Sequence, residues 1–165
     1  MLKLLDKISS IIQRKSFLER IVGVVAWGVF SKQEDATFNP TVKQLKDAEN
    51  LVFMAATRTT DRMCFKRFKP VRSKGVLVTE GGRLAKLPML LLTGKTRLPL
   101  LEYSNPLARV IMREAHEEDH FQADMTLERS RSTAWIAQGG KLAKAVCKAC
   151  MWCRLNNPVR LQQAI

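Results

Sequence analysis

His116-Glu117-Glu118-Asp119-His120, then 29 residues, then Cys150-Met151-Trp152-Cys153: these two short runs decide how the chain is read. The chain has two histidines, standing four apart, and two of its four cysteines form the C-x-x-C pair. Structural zinc takes four nitrogen or sulfur ligands in a tetrahedron, and ligand pairs at short spacing let two chain segments close on one ion. Two half-sites inside a 38-residue window therefore predict a single structural zinc held by His116, His120, Cys150 and Cys153. On a helix, His116 and His120 would share one face a turn apart. Cys150 and Cys153, near a helix end, would converge in the same way, and two thiolates would balance the charge of the ion. The plainer alternative is a histidine pair on a solvated acidic turn, with the cysteines as small apolar fillers.

The same residues also spell H-E-x-x-H, the zinc-protease helix in which the glutamate is general base. Three features of the sequence argue against it. Glu118 and Asp119 make the turn strongly acidic, where a buried catalytic helix would favour apolar residues. No third histidine follows as a ligand, and a catalytic zinc keeps one position open for water. The C-x-x-C pair would also be left without a role.

Around these ligands the sequence predicts a small helical unit. Asn105 and Pro106 mark a helix start, as cap and first-turn proline, and Leu107, Val110, Ile111 and Ala115 form one apolar face running into His116. Asp124 is expected to cap a second helix carrying Leu127, with Trp135-Ile136 as an apolar pair beyond it. After Gly139-Gly140 a third helix carries Leu142, Val146 and Cys150. A unit of about 50 residues buries too little surface to be stable alone, which is where a metal cross-link is normally needed.

The run NPLARVIMREAHEEDH…TLERSRSTAWIAQGGKLAKAVCKACMWCRL resembles the His-His-Cys-Cys zinc-binding domain that precedes the catalytic core of retroviral-type integrases, most closely the version in Bel/Pao-type retrotransposon polyproteins. The stretches GVLVTEGGRL (75–84) and LPLLEYSNPLARVIMREAH resemble the strand-and-turn lead-in of that family. The resemblance spans roughly residues 40–157. It implies His116, His120, Cys150 and Cys153 as ligands, Thr126-Leu127 and Trp135 as core positions, and a part in holding DNA ends and assembling multimers. Three features depart from the family, one of them a histidine spacing at the short end for integrases. Gln122 stands where a glycine is usual, and glutamine resists the positive φ that glycine permits, so the loop is expected to be strained or reshaped. Cys147 offers a second pair, Cys147-x-x-Cys150, but Arg154 directly follows Cys153 as in the family.

The chain ends soon after Cys153, so no integrase catalytic core is expected here. Gly94-Lys95 lacks the spacing of a phosphate-binding loop. We therefore expect no catalysis. A net charge of +13 points toward nucleic acid, and it is uneven: residues 1–102 carry net +10 and residues 103–165 net +3. The densest block is Arg62, Lys66, Arg67, Lys69, Arg72 and Lys74, with Phe65 and Phe68 interleaved and no acid between 62 and 79. Such a block can neutralise phosphates and release counterions, although a solvated linker would look the same. Arg129, Arg131, Lys141, Lys144 and Lys148 are expected to line a surface of the zinc unit. The nucleic-acid candidates are thus the six residues of the block together with Lys141, Lys144 and Lys148, with DNA as the expected partner and a homo-oligomer or a separate integrase core as further ones. A different class of function, a helical protein-interaction module with structural zinc, uses the same residues.

Residues 2–31 repeat apolar positions at helical spacing, and a further helix should start at Asn39-Pro40-Thr41. Ile21–Phe30 is nearly all apolar but too short for a membrane span of about 20 residues, and no secretory signal pattern precedes it. Val76–Thr79, Glu80-Gly81-Gly82, Met89–Leu92 and Leu98–Leu101 are the strand and turn signals. The expected architecture is mostly α with a small β segment: a helical module (1–64), a basic β-rich connector (65–103) and the zinc-stabilised three-helix unit (104–157). Cysteines at metal-type spacing, without a secretory signal, place the chain in cytoplasm or nucleus.

Overall fold

The structure, a computed structural model, describes residues 2–15, 17–31, 39–61, 65–66, 68–79 and 97–156. The fold is mostly helical with a small β segment. Arg62 and Arg67, the Glu80-Gly81-Gly82 turn and the Met89–Leu92 run lie outside the described residues.

The N-terminal apolar repeat forms two helices rather than one: α1 (Leu2–Arg14) and α2 (Leu18–Phe30). The break falls in the polar Lys15 region, and Phe17 is already extended as the N-cap of α2. The stripe Leu5, Ile8 and Ile12 of α1 and Ile21, Val22, Val25 and Ala26 of α2 are buried, each such aliphatic side chain contributing about 1.5–3 kcal/mol. Both helices pack on α3 (Val42–Thr57). Thr41 begins α3 as the sequence suggests, and it does so with a full capping box shared with Gln44.

Past α3 the chain makes an antiparallel hairpin, β1 (Pro70–Ser73) and β2 (Val76–Thr79). Its two turn residues, Lys74 and Gly75, both have positive φ, 49° and 83°, as a two-residue hairpin turn matched to strand twist requires. Gly75 is also a close approach: a Cβ there would lie 2.8 Å from the Met54 Cε of α3. The following strand, β3 (Leu100–Leu101), pairs in parallel with β4 (Trp135–Ile136). The Trp135-Ile136 pair, expected as an apolar pair beyond the second helix, is therefore a strand.

Three helices make up the C-terminal unit: α4 (Pro106–Glu117), α5 (Ala123–Ser130) and α6 (Gly139–Ala149), each packed on the other two, followed by the short α7 (Met151–Asn156). Asn105 caps α4 by accepting from the Leu107 N–H, and its amide also donates to the Ala56 carbonyl at the end of α3 at 2.7 Å. The N-cap of α5 is Gln122, without a side-chain cap bond, and Asp124 sits in the first turn instead, where its charge still favours the helix dipole. Glu114 of α4 accepts from the Leu18 N–H at the start of α2 at 3.0 Å. Burial holds the Glu114 carboxyl above its usual value, against the lowering effect of that bond. Apolar residues of α1–α3 and of α4 and α6 share one buried cluster, while Phe65, Leu77 and Leu100 make a second, smaller one against Phe68 and Trp135.

Candidate metal centre

Four side chains converge beside the ends of α4 and α6. The ligand atoms of His116, His120, Cys150 and Cys153 all lie within 4.8 Å of one another. Cys153 Sγ is 3.4 Å from His116 Nε2 and 3.7 Å from His120 Nδ1, and Cys150 Sγ is 3.4 Å from His120 Nδ1. Around one tetrahedral zinc with nitrogen and sulfur ligands, neighbouring donors stand about 3.3–3.8 Å apart. The donor set fits one such ion.

The elements deliver these ligands differently from a shared helix face. His116 is on the last turn of α4 and is 1% exposed. The helix stops at Glu117, and His120 lies beyond it in left-handed conformation, with φ 50°. Histidine is among the residues that tolerate that region, and the turn swings its imidazole back over the helix end. Gln122, by contrast, has an ordinary φ of −64°, so the strain expected at the missing glycine falls on the ligand itself two residues earlier. Cys150 is the extended C-cap of α6 rather than a helical residue, and Cys153 follows on α7. The break between α6 and α7 turns both sulfurs toward the histidines.

A second layer orients His116. Its Nδ1–H donates to the Phe121 carbonyl at 2.9 Å, which leaves Nε2 as the lone-pair nitrogen on the side of Cys153. The Thr126 hydroxyl donates to the same carbonyl at 3.0 Å and the Cys147 thiol at 3.5 Å. Metal-bound histidines usually fix their tautomer through such a bond. Cys147 Sγ is 3.4 Å from His116 Nδ1, on the opposite ring edge from Cys153, so it belongs with the supporting carbonyl and not with the four converging donors. His120 is held by Trp152, whose ring stacks on it with centroids 4.3 Å apart and planes at 12°. Desolvation, reinforced by the hydrogen bond and charge of Cys150 and the charge of Cys147, pushes the Cys153 thiol up. A divalent cation opposes that shift by favouring the thiolate. The sequence offered a signal for Thr126, through its place beside Leu127, but none for the Phe121 carbonyl or the Trp152 stack.

Residues 104–159 match the family model described as integrase zinc binding domain. Over residues 104–159, about a third of its length, the chain is similar to the integrase zinc binding domain. All four converging donors fall inside the matched span, and domains of this family bind zinc. No curated protein and no solved structure matches the chain.

The basic residues are placed unevenly around the integrase zinc binding domain. Lys141, Lys144 and Lys148 are exposed along α6, and the Lys141 ammonium lies 5.6 Å above the Tyr103 ring. Arg129 pairs with Glu118 through Nε at 2.9 Å and again through Nη2, and it covers the Phe121 ring. Of the basic block, Lys66, Lys69 and Lys74 are exposed. Arg72 donates to the Thr57 and Arg58 carbonyls at 3.2 Å each and to the Gly75 carbonyl at 3.1 Å, so its guanidinium closes the end of α3. Among the described residues, no helix is long and apolar enough to cross a membrane.

Proposed function

We propose that the chain is a non-catalytic, zinc-stabilised nucleic-acid-binding module derived from the integrase region of a Bel/Pao-type retrotransposon. One zinc held by His116, His120, Cys150 and Cys153 ties the end of α4 to the break between α6 and α7. The observation that carries this is the four-donor cluster lying inside the span that matches the integrase zinc binding domain. That family is associated with DNA binding and multimer assembly. The domain type is itself non-catalytic, and four protein donors leave no open position for the water that a zinc protease activates. His120 standing off the helix, and Glu117 paired with Arg113 at 4.0 Å, support the same conclusion.

In this proposal the helical module (1–64), the basic connector (65–103) and the zinc unit (104–157) act together in cytoplasm or nucleus. Arg62, Lys66, Arg67, Lys69, Arg72, Lys74, Lys141, Lys144 and Lys148 supply charge for phosphates, beside an integrase core provided elsewhere. One observation favours the protein-interaction alternative: Met151, Trp152 and Leu155 of α7 are exposed, at 63%, 53% and 73%. Fluorescence anisotropy with labelled duplex DNA over a salt series separates the two. Steep loss of affinity with salt, flattened by changing Lys141, Lys144 and Lys148 together to glutamine, supports the nucleic-acid function. Self-association that ignores salt, without DNA binding, supports the alternative.

A further inference from the structure

A cleft of about 660 Å³ opens where the connector meets the zinc unit. Its walls include the rings of Phe68, Tyr103 and Trp135 with the side chains of Arg131 and Glu102. Phe68 packs on Trp135 with ring centroids 5.3 Å apart. Two cations attend these rings: the Arg131 guanidinium lies 5.1 Å over Trp135, and Lys141 lies over Tyr103. Glu102 is already engaged, accepting from the Asp61 N–H at 3.1 Å.

Arg131 is the cation nearest the Trp135 wall. Its Nη1 is bonded to Glu128 at 2.6 Å, and its Nε is buried with no hydrogen-bond partner among the described residues. That Nε has essentially no accessible surface, but the Arg131 side chain as a whole is 27% exposed and lines the cleft. A planar guanidinium against an aromatic wall suits a phosphate or a base carbonyl oxygen. Aromatic faces interleaved with cations are the means by which proteins hold unpaired bases without reading their sequence. Lys66 and Lys69 flank Phe68 in the sequence, and Lys144 and Lys148 continue along α6 from Lys141, so backbone phosphates on either side of the cleft would meet further positive charge.

We propose that this cleft holds an unpaired nucleotide of a single-stranded nucleic acid, its base against Tyr103 and Trp135 and its phosphate on Arg131 and Lys141. This rests on the nucleic-acid function above and makes it specific to single strands or unpaired ends. The volume is in the range of pockets that enclose one small ligand.

The test uses the full chain loaded with zinc. Anisotropy is measured with a labelled oligothymidine, which cannot pair with itself, and with a blunt mixed-sequence duplex, for wild type, Arg131→Gln and Tyr103→Leu. Circular dichroism and zinc content show that each variant is folded. The expected result is a loss of about tenfold in oligothymidine affinity in both variants, with duplex affinity unchanged. Equal oligothymidine affinity in wild type and both folded variants overturns the cleft proposal while leaving the nucleic-acid function standing. Binding of neither probe by the wild type overturns both. Arg131-dependent binding of a labelled polyglutamate in place of oligothymidine also overturns the proposal, in favour of an acidic protein partner.

Discussion

The Nδ1–H of His116 donates to the Phe121 carbonyl at 2.9 Å, and this bond decides which edge of the ring faces the other ligands. Phe121 follows directly after His120, so the turn that carries one ligand aims the other. Thr126, fully buried on α5, donates to the same oxygen. Thr126→Val keeps the shape and removes the donor. Outer-layer changes of this kind weaken metal binding about 10–100-fold. Competition against a chromophoric chelator measures it, and unchanged affinity in a folded variant would show that the carbonyl does not depend on Thr126.

Trp152 is 53% exposed yet stacked on His120. Its role is therefore to hold a ligand ring that sits in a strained conformation, more than to fill a core. An aromatic pair contributes about 0.5–1.5 kcal/mol, so Trp152→Ala should weaken zinc binding about three- to tenfold while Trp152→Phe retains most of it. Equal affinity for the two variants would contradict a stacking role.

Much of the C-terminal unit was legible because its signals are local. Asn105-Pro106 marks a helix start wherever it folds, and in the N-terminal part Asn39-Pro40-Thr41 does likewise. What could not be read depends on distant partners or on backbone conformation. Trp135-Ile136 becomes a strand because Leu100-Leu101 lies alongside, and nothing near Trp135 announces that neighbour. The spacing of His116 and His120 suits a helix face, but the helix ends first and a left-handed turn achieves the same convergence. Arg72 looks like any member of a basic block until the end of α3 is seen beside it.

That placement of Arg72 gives a discriminating pair of variants. Arg72→Gln removes donors from the last carbonyls of α3 and should lower stability by about 1 kcal/mol, a value kept small because the side chain is exposed. Lys69→Gln, which breaks no such bond, should leave stability unchanged while lowering DNA affinity. Urea unfolding and anisotropy on both variants check this, and a stable Arg72→Gln would contradict the capping role.

Glu114 joins the zinc unit to α2 through the Leu18 N–H. Glu114→Ala leaves that donor without its acceptor and should cost about 1 kcal/mol, as the loss of a helix cap does. Glu114→Gln keeps an acceptor and discards a charge that burial disfavours, so it should be at least as stable as wild type. Thermal unfolding ranks the three proteins, and a Gln variant as weak as Ala would show that the charge, not the hydrogen bond, matters.

The most direct measurement is elemental analysis for zinc on the purified, reduced protein beside His120→Ala, Cys153→Ser and Cys147→Ser. The structure predicts one zinc per chain, lost in the His120 and Cys153 variants and kept in Cys147→Ser, whose sulfur lies on the far edge of the His116 ring. A folded wild-type protein without zinc, or zinc lost on changing Cys147 but kept without Cys153, would contradict the metal centre described here.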